Sequence, residues 1–298
     1  MNIIMNICLL GLSGSGKTCY LYTMSHVLAK GISINGHTIS ATSVQRLQQL
    51  ELNRGIEQMA NGRWPDGSLS TINYPFELKI DGRAMGSFTI YDYRGSALDG
   101  VNEADIEDYE ELFGTFIDSS CIIFLIDGDT LLTALDPQCI ELEHRGDISF
   151  QSQLVARNKI NYIESLIREC SDRINRNVPI LLAITKKDIF SEKELAAGQE
   201  LLKSLLPTLF SIHNDMIVGV TSVTLGRNLH NDHGKLTGTL CLNAEGNVHL
   251  PVLFALLQKI DEESEVFDNS DEMKSLIYQL FTSDRISFYK GGKEVIIL

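Results

Sequence analysis

The chain has 298 residues, 44% of them hydrophobic, which is enough for one large domain or two small ones with a sizeable core. Its 25 basic and 39 acidic residues give a formal net charge of −14, so nucleic acid and anionic membrane surfaces, which would repel it, are not expected partners. No apolar run approaches the roughly 18 residues of a membrane helix, and no two of the six cysteines have C-x-x-C spacing, so we expect a cytoplasmic protein with reduced thiols and no direct membrane insertion.

The predicted elements alternate between short apolar strands and longer helices. The strands are expected at 3–10, 72–80, 85–91, 121–127, 178–185 and 216–221, and the helices at 18–30, 104–117, 150–175, 191–206 and 250–261. Gly31 is expected to end the first helix, and Ser191 with Glu194 to form a capping box. Near-continuous apolar strands separated by helices predict an α/β fold with a mostly parallel, doubly wound sheet covered on both faces. The turn Asp81–Arg83 makes two of the strands a hairpin, which adds one antiparallel strand.

Three segments do not fit a minimal core of this kind, namely 32–70, 131–149 and 227–249. The last of them is polar and rich in turn residues, which predicts an inserted hairpin. We therefore expect one domain over 1–263 that contains these insertions, followed by a small C-terminal appendage over 264–298. The appendage carries a predicted helix at 273–281 and a predicted terminal hairpin around Gly291 and Gly292.

A glycine-rich motif directly follows the first predicted strand and precedes the first predicted helix. Residues Gly11–Thr18 match G-x-x-x-x-G-K-[ST] in the strand–loop–helix setting that this motif requires. The N–H groups of such a loop form a nest for anions, and the helix N-terminus adds its dipole. Lys17 is expected to reach the β- and γ-phosphates of a nucleotide, and the Thr18 hydroxyl to bind Mg²⁺. The residues expected to contact the nucleotide here are Gly11, Ser13, Gly14, Ser15, Gly16, Lys17, Thr18 and Cys19.

A D-x-x-G motif stands at the end of the predicted strand 85–91. Asp92 is expected to hold Mg²⁺ through water, and the Gly95 N–H to reach the γ-phosphate. Asp127 and Asp129 compete for the metal role, but they follow a different strand. The position after the hairpin favours Asp92.

The segment Thr185–Asp188 follows another buried strand and reads T-K-K-D. This pattern resembles the guanine-specificity motif of the translation-factor-related P-loop GTPases. The resemblance implies that Asp188 accepts two N–H bonds from guanine, that the stem of Lys186 lies along the purine face, and that Thr185 braces the phosphate loop. Adenine presents a different edge and cannot make the pair with Asp188. The alternative is a solvated run of charges after a strand.

Two looser motifs complete the set of that family. Thr221–Val223 ends the last central strand and is similar to the [ST]-A-x motif that closes the guanine pocket, with the Ser222 N–H reaching guanine O6. Thr71, directly before the hairpin, fits the threonine that binds Mg²⁺ and senses the γ-phosphate. Ser68 and Ser70 are its rivals.

The resemblance covers residues 3–263, a complete GTPase domain. It implies a P-loop NTPase fold that binds GTP or GDP with Mg²⁺, hydrolyses GTP to GDP and phosphate, and acts as a molecular switch. A protein effector or activator is expected to bind its switch regions. The segment Arg63–Gly67 resembles that of a bacterial "double-GTPase" subgroup, whose members are predicted to work in multi-gene conflict or signalling systems. The alternative for Trp64 in this segment is a packing anchor.

The expectation for catalysis is slow intrinsic hydrolysis. Many small GTPases have a glutamine after D-x-x-G that orients the attacking water, and Ser96 is too short to reach the same water. An arginine could compensate by neutralising charge on the γ-phosphoryl group, and the candidates are Arg94, adjacent to the motif, and Arg54 and Arg63. The sequence does not assign the role among them, and the alternative for each is a surface arginine. The residues expected to act in hydrolysis are Lys17, Thr71, Gly95 and Arg94. The alternative functions are a GTP-binding scaffold with negligible hydrolysis and a P-loop ATPase or nucleotide kinase, which the T-K-K-D motif disfavours.

Two further features carry weaker expectations. His230 and His233 have a metal-like spacing, but they lie in the turn-rich insertion and are interpreted as part of a polar loop. The acidic run 103–111 is interpreted as a solvated helix face, with a partner-binding surface as the alternative.

Overall fold

The computed structural model describes residues 3–11, 14–65, 71–93, 114–136, 154, 155, 160, 164, 168, 177–232, 235–263, 270–281 and 285–295. Several predicted features lie outside the described residues, namely Ser13, Ser68, Ser70, Arg94, Gly95, Ser96, His233 and the acidic run 103–111. Of the predicted helix 150–175, the five described residues are helical, as are residues 114–118 at the end of the predicted helix 104–117.

The central strands lie close to the predicted positions. The strands are β1 Ile3–Leu10, β2 Ile32–Ile34, β3 His37–Ser43, β4 Ile72–Ile80, β5 Arg83–Asp92, β6 Cys121–Ile126, β7 Ile180–Ile184, β8 Val218–Ser222, β9 Gly226–Asp232, β10 Lys235–Leu240, β11 Ile286–Lys290 and β12 Lys293–Val295. The helices are α1 Lys17–Lys30, α2 Arg46–Ala60, α3 Gly128–Leu135, α4 Glu192–Leu205, α5 Leu250–Glu262 and α6 Ser270–Tyr278. The sequence pattern does not predict β2, β3, α2 or α3.

In the described part of the chain, ten strands form one sheet, in the order β12-β11-β8-β7-β6-β1-β5-β4-β3-β2. The strands β5, β1, β6, β7 and β8 run parallel at its centre, which confirms the mostly parallel core. The prediction of one antiparallel strand is wrong, because β4, β3 and β2 extend one edge and β11 and β12 extend the other through antiparallel pairs.

The additional edge strands come from segments that the sequence pattern left outside the core. β2 and β3 lie within 32–70, and β3 has only two buried positions, Ile39 and Ala41. Such a strand lacks the continuous apolar run of a central parallel strand, because an antiparallel edge strand buries one face at most. In the C-terminal segment, β11 pairs with β8 and so extends the main sheet. The domain boundary at residue 263 stays a prediction.

Helices cover both faces of the parallel strands. Successive side chains of a strand point to opposite faces, so Ile7 and Leu9 of β1 join one apolar cluster while Cys8 and Leu10 join the other. Residues of α1 and α5 complete the first cluster, and residues of α3 and α4 complete the second. The doubly wound arrangement expected from the sequence is therefore present in the described residues.

The predicted helix ends are confirmed. Gly31 has a φ of 87° at the end of α1, and its N–H donates to the Leu28 carbonyl at 3.1 Å. At the start of α4, the Glu194 N–H donates to Ser191 Oγ, and the Ser191 N–H donates to the Glu194 carboxylate at 2.8 Å. None of the helices in the described part of the chain is long and apolar enough to cross a bilayer.

The hairpin predicted within 227–249 is confirmed, because β9 and β10 pair antiparallel, while the assignment of this segment as an insertion stays a prediction. It leans on the end of α2, because the Leu236 N–H donates to the Gly62 carbonyl at 2.7 Å. Leu236 also forms a small buried cluster with Met59 and with Cys19 in the first turn of α1, against which Trp64 packs. The hairpin therefore joins the segment before β4 to the helix that follows the glycine-rich loop.

The topology places the predicted motifs at the same end of the parallel strands, their carboxyl end. β1 pairs with β5 on one side and with β6 on the other. The strands that follow β1 in the sequence are therefore added first on the β5 side and later on the β6 side, so the strand order reverses at β1. In sheets of this type, ligands bind at the carboxyl ends of the strands where the strand order reverses. The glycine-rich loop follows β1 at that position, and Asp92, Asp127 and Thr185 end or follow the parallel strands β5, β6 and β7 at the same end.

Candidate functional site

Two glycines of the loop after β1 have left-handed backbone angles. Gly14 and Gly16 have φ values of 85° and 91°, and a Cβ added at either would meet nothing within 4 Å. Glycine is therefore needed there for the backbone angle, and the space beside it is open. Gly11 is needed for a different reason, because a Cβ there would come within 2.7 Å of the buried Ser15 Oγ. Gly16 is also the residue that precedes α1, so the open space adjoins the N-terminus of that helix.

Lys17 is a buried cation at the start of α1. Only 7% of the residue is exposed, and its Nζ donates to the Gly11 carbonyl at 2.5 Å. Burial lowers the pKa of Lys17 below its usual value, and the nearby Asp92 carboxylate acts in the opposite direction. An anion bound in the loop would favour the charged form of Lys17 in the same way.

Asp92 ends β5 and is fully buried. It pairs in register with Leu9 of β1 and with Ile72 of β4, so Thr71 lies directly beside the end of β5. Thr18 stands in the first turn of α1, next to Lys17. These three side chains offer carboxylate and hydroxyl oxygens, the ligand type that Mg²⁺ prefers. The described residues contain no group of three or more His, Cys, Asp or Glu side chains that could hold a metal.

Thr185 joins the ends of two neighbouring strands. Its hydroxyl donates to the Ile126 carbonyl at 3.1 Å and accepts from the Gly128 N–H at 3.4 Å. These bonds tie the end of β7 to the end of β6. The brace to the phosphate loop expected of Thr185 stays a prediction.

Lys186 lies between two carboxylates. Its Nζ donates to Asp127 Oδ1 at 2.8 Å and also to Asp129 Oδ2. Burial alone would lower the pKa of Lys186, but the hydrogen bonds and charges of the two aspartates outweigh it and raise the pKa. Sequence reasoning treated Asp127 and Asp129 as rivals for the metal; the structure shows them paired with the lysine of the T-K-K-D motif.

Asp188 lies in a short 3₁₀ turn that follows Lys186, and the side chain of Thr224 contacts its carboxylate. The Thr224 hydroxyl lies 2.7 Å from Asp188 Oδ1 and 2.6 Å from the Gly226 carbonyl, two acceptors that share its single proton. Thr224 comes directly after the T-S-V segment. The sequence pattern contained no signal for this contact, because the two residues are 36 positions apart.

The segment Thr221–Val223 forms the end of β8 and the residue after it. Thr221 donates its hydroxyl to the Arg285 carbonyl at 2.5 Å, and the Ser222 carbonyl accepts from Asn247 Nδ2 at 3.3 Å. The Val223 N–H donates to the Ile184 carbonyl of β7 at 2.8 Å. The contact expected between the Ser222 N–H and guanine O6 stays a prediction.

The remaining candidates lie around α2 and the inserted hairpin. Arg54 is exposed on α2, and Arg63 is exposed and forms a backbone bridge with Lys235 of β10. Trp64 packs against the cluster around Leu236, in agreement with a packing anchor.

Comparison with known proteins gives no family for the chain. No protein-family model matches it, and none of the curated proteins matches its sequence. Its structure is similar to that of a bacterial selenocysteine-specific elongation factor, EF-Sec, with 15% identity and a TM-score of 0.40, over 90% of this chain and 30% of that one. It is also similar to Sup35 complexed with GDP, with 12% identity and a TM-score of 0.36, over 75% of this chain and 38% of that one. The chain thus spans less than half the length of either protein, and likenesses this weak leave the argument for function to the residues of the site.

Proposed function

We propose that this chain is a Mg²⁺-dependent GTP-binding protein of the P-loop NTPase fold that hydrolyses GTP to GDP and phosphate and acts as a molecular switch. The observation that supports the proposal is that the candidate residues lie at the same end of the parallel strands. The glycine-rich loop with Lys17, the buried Asp92, and the pair Lys186 and Asp188 lie at or just after the carboxyl ends of the parallel strands β1, β5 and β7. A phosphate site and a base-reading pair at one end of the strands are what a nucleotide requires.

The phosphate end rests on Lys17 and the loop. The ammonium group is buried and already bonded to the Gly11 carbonyl, so its position is fixed before a ligand arrives. The β- and γ-phosphates would take up this ammonium together with the N–H groups around Gly14 and Gly16. Open space beside both glycines leaves room for them.

The metal end rests on oxygen donors. Thr18, Asp92 and Thr71 would hold Mg²⁺, either directly or through water, and this small set suits an ion that usually keeps several waters and binds few protein side chains. When bound, the ion would neutralise negative charge on the phosphate groups. Asp92 has a second effect in the chain, because its negative charge favours the protonated form of Lys17.

The base end rests on Lys186 and Asp188. A carboxylate at Asp188 can accept the N1–H and the 2-amino N–H of guanine, and the stem of Lys186 can lie along the purine face. Adenine has no such pair of donors on that edge, so the same two residues favour GTP and GDP over ATP and ADP. Thr221, Ser222 and Val223 would close this end of the site through their backbone.

Hydrolysis is assigned to Lys17, Thr71, Gly95 and Arg94. The Gly95 N–H would bind the γ-phosphate and Arg94 would neutralise charge on it in the transition state. Ser96 is too short to orient water as a glutamine does, so we propose slow intrinsic turnover and an activating or effector protein at the switch regions. The same residue favours a second candidate, a GTP-binding scaffold with negligible hydrolysis.

The wider setting is proposed on the resemblance of sequence motifs alone. Arg63–Gly67 favours the bacterial double-GTPase-type subgroup, and the reduced cysteine pattern favours the cytoplasm. We propose no nucleic-acid partner for a chain with a net charge of −14.

Mass spectrometry of the nucleotide that co-purifies with the protein tests the proposal. We expect GDP or GTP in the wild-type chain and none in Lys17→Ala, which loses the buried cation. An adenine nucleotide in the wild-type chain would contradict the guanine assignment. Single-turnover release of phosphate from GTP then separates a slow GTPase from a scaffold. A rate equal to that of a glutamine-bearing GTPase, unchanged in Arg94→Ala, would contradict the assigned roles of Ser96 and Arg94.

A further inference from the structure

Both the backbone and the ammonium group of Lys186 are constrained. Its backbone adopts a left-handed conformation, φ 57° and ψ 41°, which a residue other than glycine adopts only at a cost. Its ammonium group donates to Asp127 at 2.8 Å and to Asp129. Both aspartates lie just beyond β6, 59 and 57 positions away in the sequence. A side chain in solvent would have neither constraint.

The segment Asp127–Asp129 is built for this contact. A Cβ at Gly128 would come within 2.1 Å of the Thr185 carbonyl, so only glycine lets the two segments approach this closely. The Thr130 hydroxyl donates to Asp127 Oδ2 at 2.6 Å, which orients the carboxylate so that Oδ1 meets Lys186. The Thr185 hydroxyl fastens the same two segments together.

We propose that Asp127 and Asp129 are positioning residues for the base of a bound guanine nucleotide: they hold Lys186 so that its stem forms a fixed platform for the purine. The proposal rests on the proposed function and extends it to residues outside the T-K-K-D motif. A lysine side chain has many rotamers, and fixing one of them when a ligand binds costs affinity. Two carboxylates that fix it beforehand reduce this cost.

The pair of carboxylates also balances the charge of Lys186. The ammonium group of Lys186 therefore offers a phosphate group little net positive charge. An ammonium group bonded to both carboxylates also argues against Asp127 and Asp129 as the Mg²⁺ ligands.

Calorimetric titration with GDP and Mg²⁺ tests the proposal on the full chain. Asp127→Asn and Asp129→Asn keep the shape of each side chain and remove its charge. We expect each to weaken GDP binding by ~3- to 10-fold, the effect of losing a well-placed cation at an aromatic face. The control is Asp215→Asn, which should leave the affinity unchanged. Asp215 is exposed and precedes β8, so it lies at the opposite, amino end of the parallel strands.

A double-mutant cycle with Lys186→Met shows whether the aspartates act through the lysine. Methionine keeps an apolar stem and has no charge, so Asp129→Asn should have no further effect in that background. Equal losses with and without Lys186 would overturn the proposal, as would wild-type affinity in both single variants. Asp129 is largely exposed, so its variant keeps the test valid if Asp127→Asn does not fold. If the wild-type chain itself does not bind GDP, the proposed function fails and not this inference alone.

Discussion

His249 is a histidine with no access to solvent, and the stability of the protein should depend on pH because of it. It stands directly before α5, is 0% exposed, and neither ring nitrogen has a hydrogen-bond partner among the described residues. Burial lowers the pKa of His249 from 6.5 to about 4, and the positive charge of Arg285 acts in the same direction. Protonation in the folded state would place a buried charge near the positive charge of Arg285.

The sign and size of the effect follow from linkage. The pKa of the folded state lies below that of the unfolded state, so this contribution to the free energy of unfolding is fully present above pH 6.5 and is lost as the pH falls towards 4. At pH 5 the loss is about 2 kcal/mol, and below pH 4 it reaches about 3 kcal/mol.

The variant His249→Leu, of similar volume, removes both the titrating group and the two unpartnered nitrogens. We expect the difference in free energy of unfolding between the variant and the wild type, measured by urea denaturation from pH 8 to 5, to shift in favour of the variant by about 2 kcal/mol. Taking the difference cancels the titration of groups common to both proteins. His213→Gln, at an exposed position, is the control and should show no such shift. A difference that stays constant with pH would refute the account of His249.

Three further predictions concern the site and its frame. Gly128→Ala should lower the free energy of unfolding by about 1–3 kcal/mol, because the new Cβ would meet the Thr185 carbonyl; a loss under about 0.5 kcal/mol by urea denaturation would contradict this close approach. Thr224→Val should weaken GDP binding by about 2- to 10-fold by freeing Asp188, whereas Thr224→Ser should not; equal affinities in calorimetry would show that this bond is not needed. Ser191→Ala should cost about 1 kcal/mol by removing the capping box, which thermal unfolding would detect as a lower Tm.

The sequence predicted the central strands because each is a short apolar run between helices. β6 and β7 are buried at every position, as expected for central strands that helices cover on both faces. It did not predict β3, whose polar and small residues have a single buried face. Periodicity identifies elements that are buried on both faces, and it is a weak guide at the edges of a sheet.

The candidate site shows the same division between local and distant information. The glycine-rich loop and Asp92 could be predicted because their chemistry depends on neighbours in sequence. The partners of Lys186 and Asp188 could not, because each contact joins residues that are tens of positions apart. Nor does a sequence show depth of burial, so nothing in it distinguished His249 from the exposed His213.

The proposal that Asp188 recognises guanine is tested most directly by calorimetry of GDP and ADP binding in the presence of Mg²⁺. Two charge-assisted hydrogen bonds to the base predict that the wild-type chain binds GDP at least ~100-fold more tightly than ADP. Asp188→Asn should remove most of this preference and leave the fold intact. Equal affinity of the wild-type chain for GDP and ADP, or a preference that survives Asp188→Asn, would contradict the account.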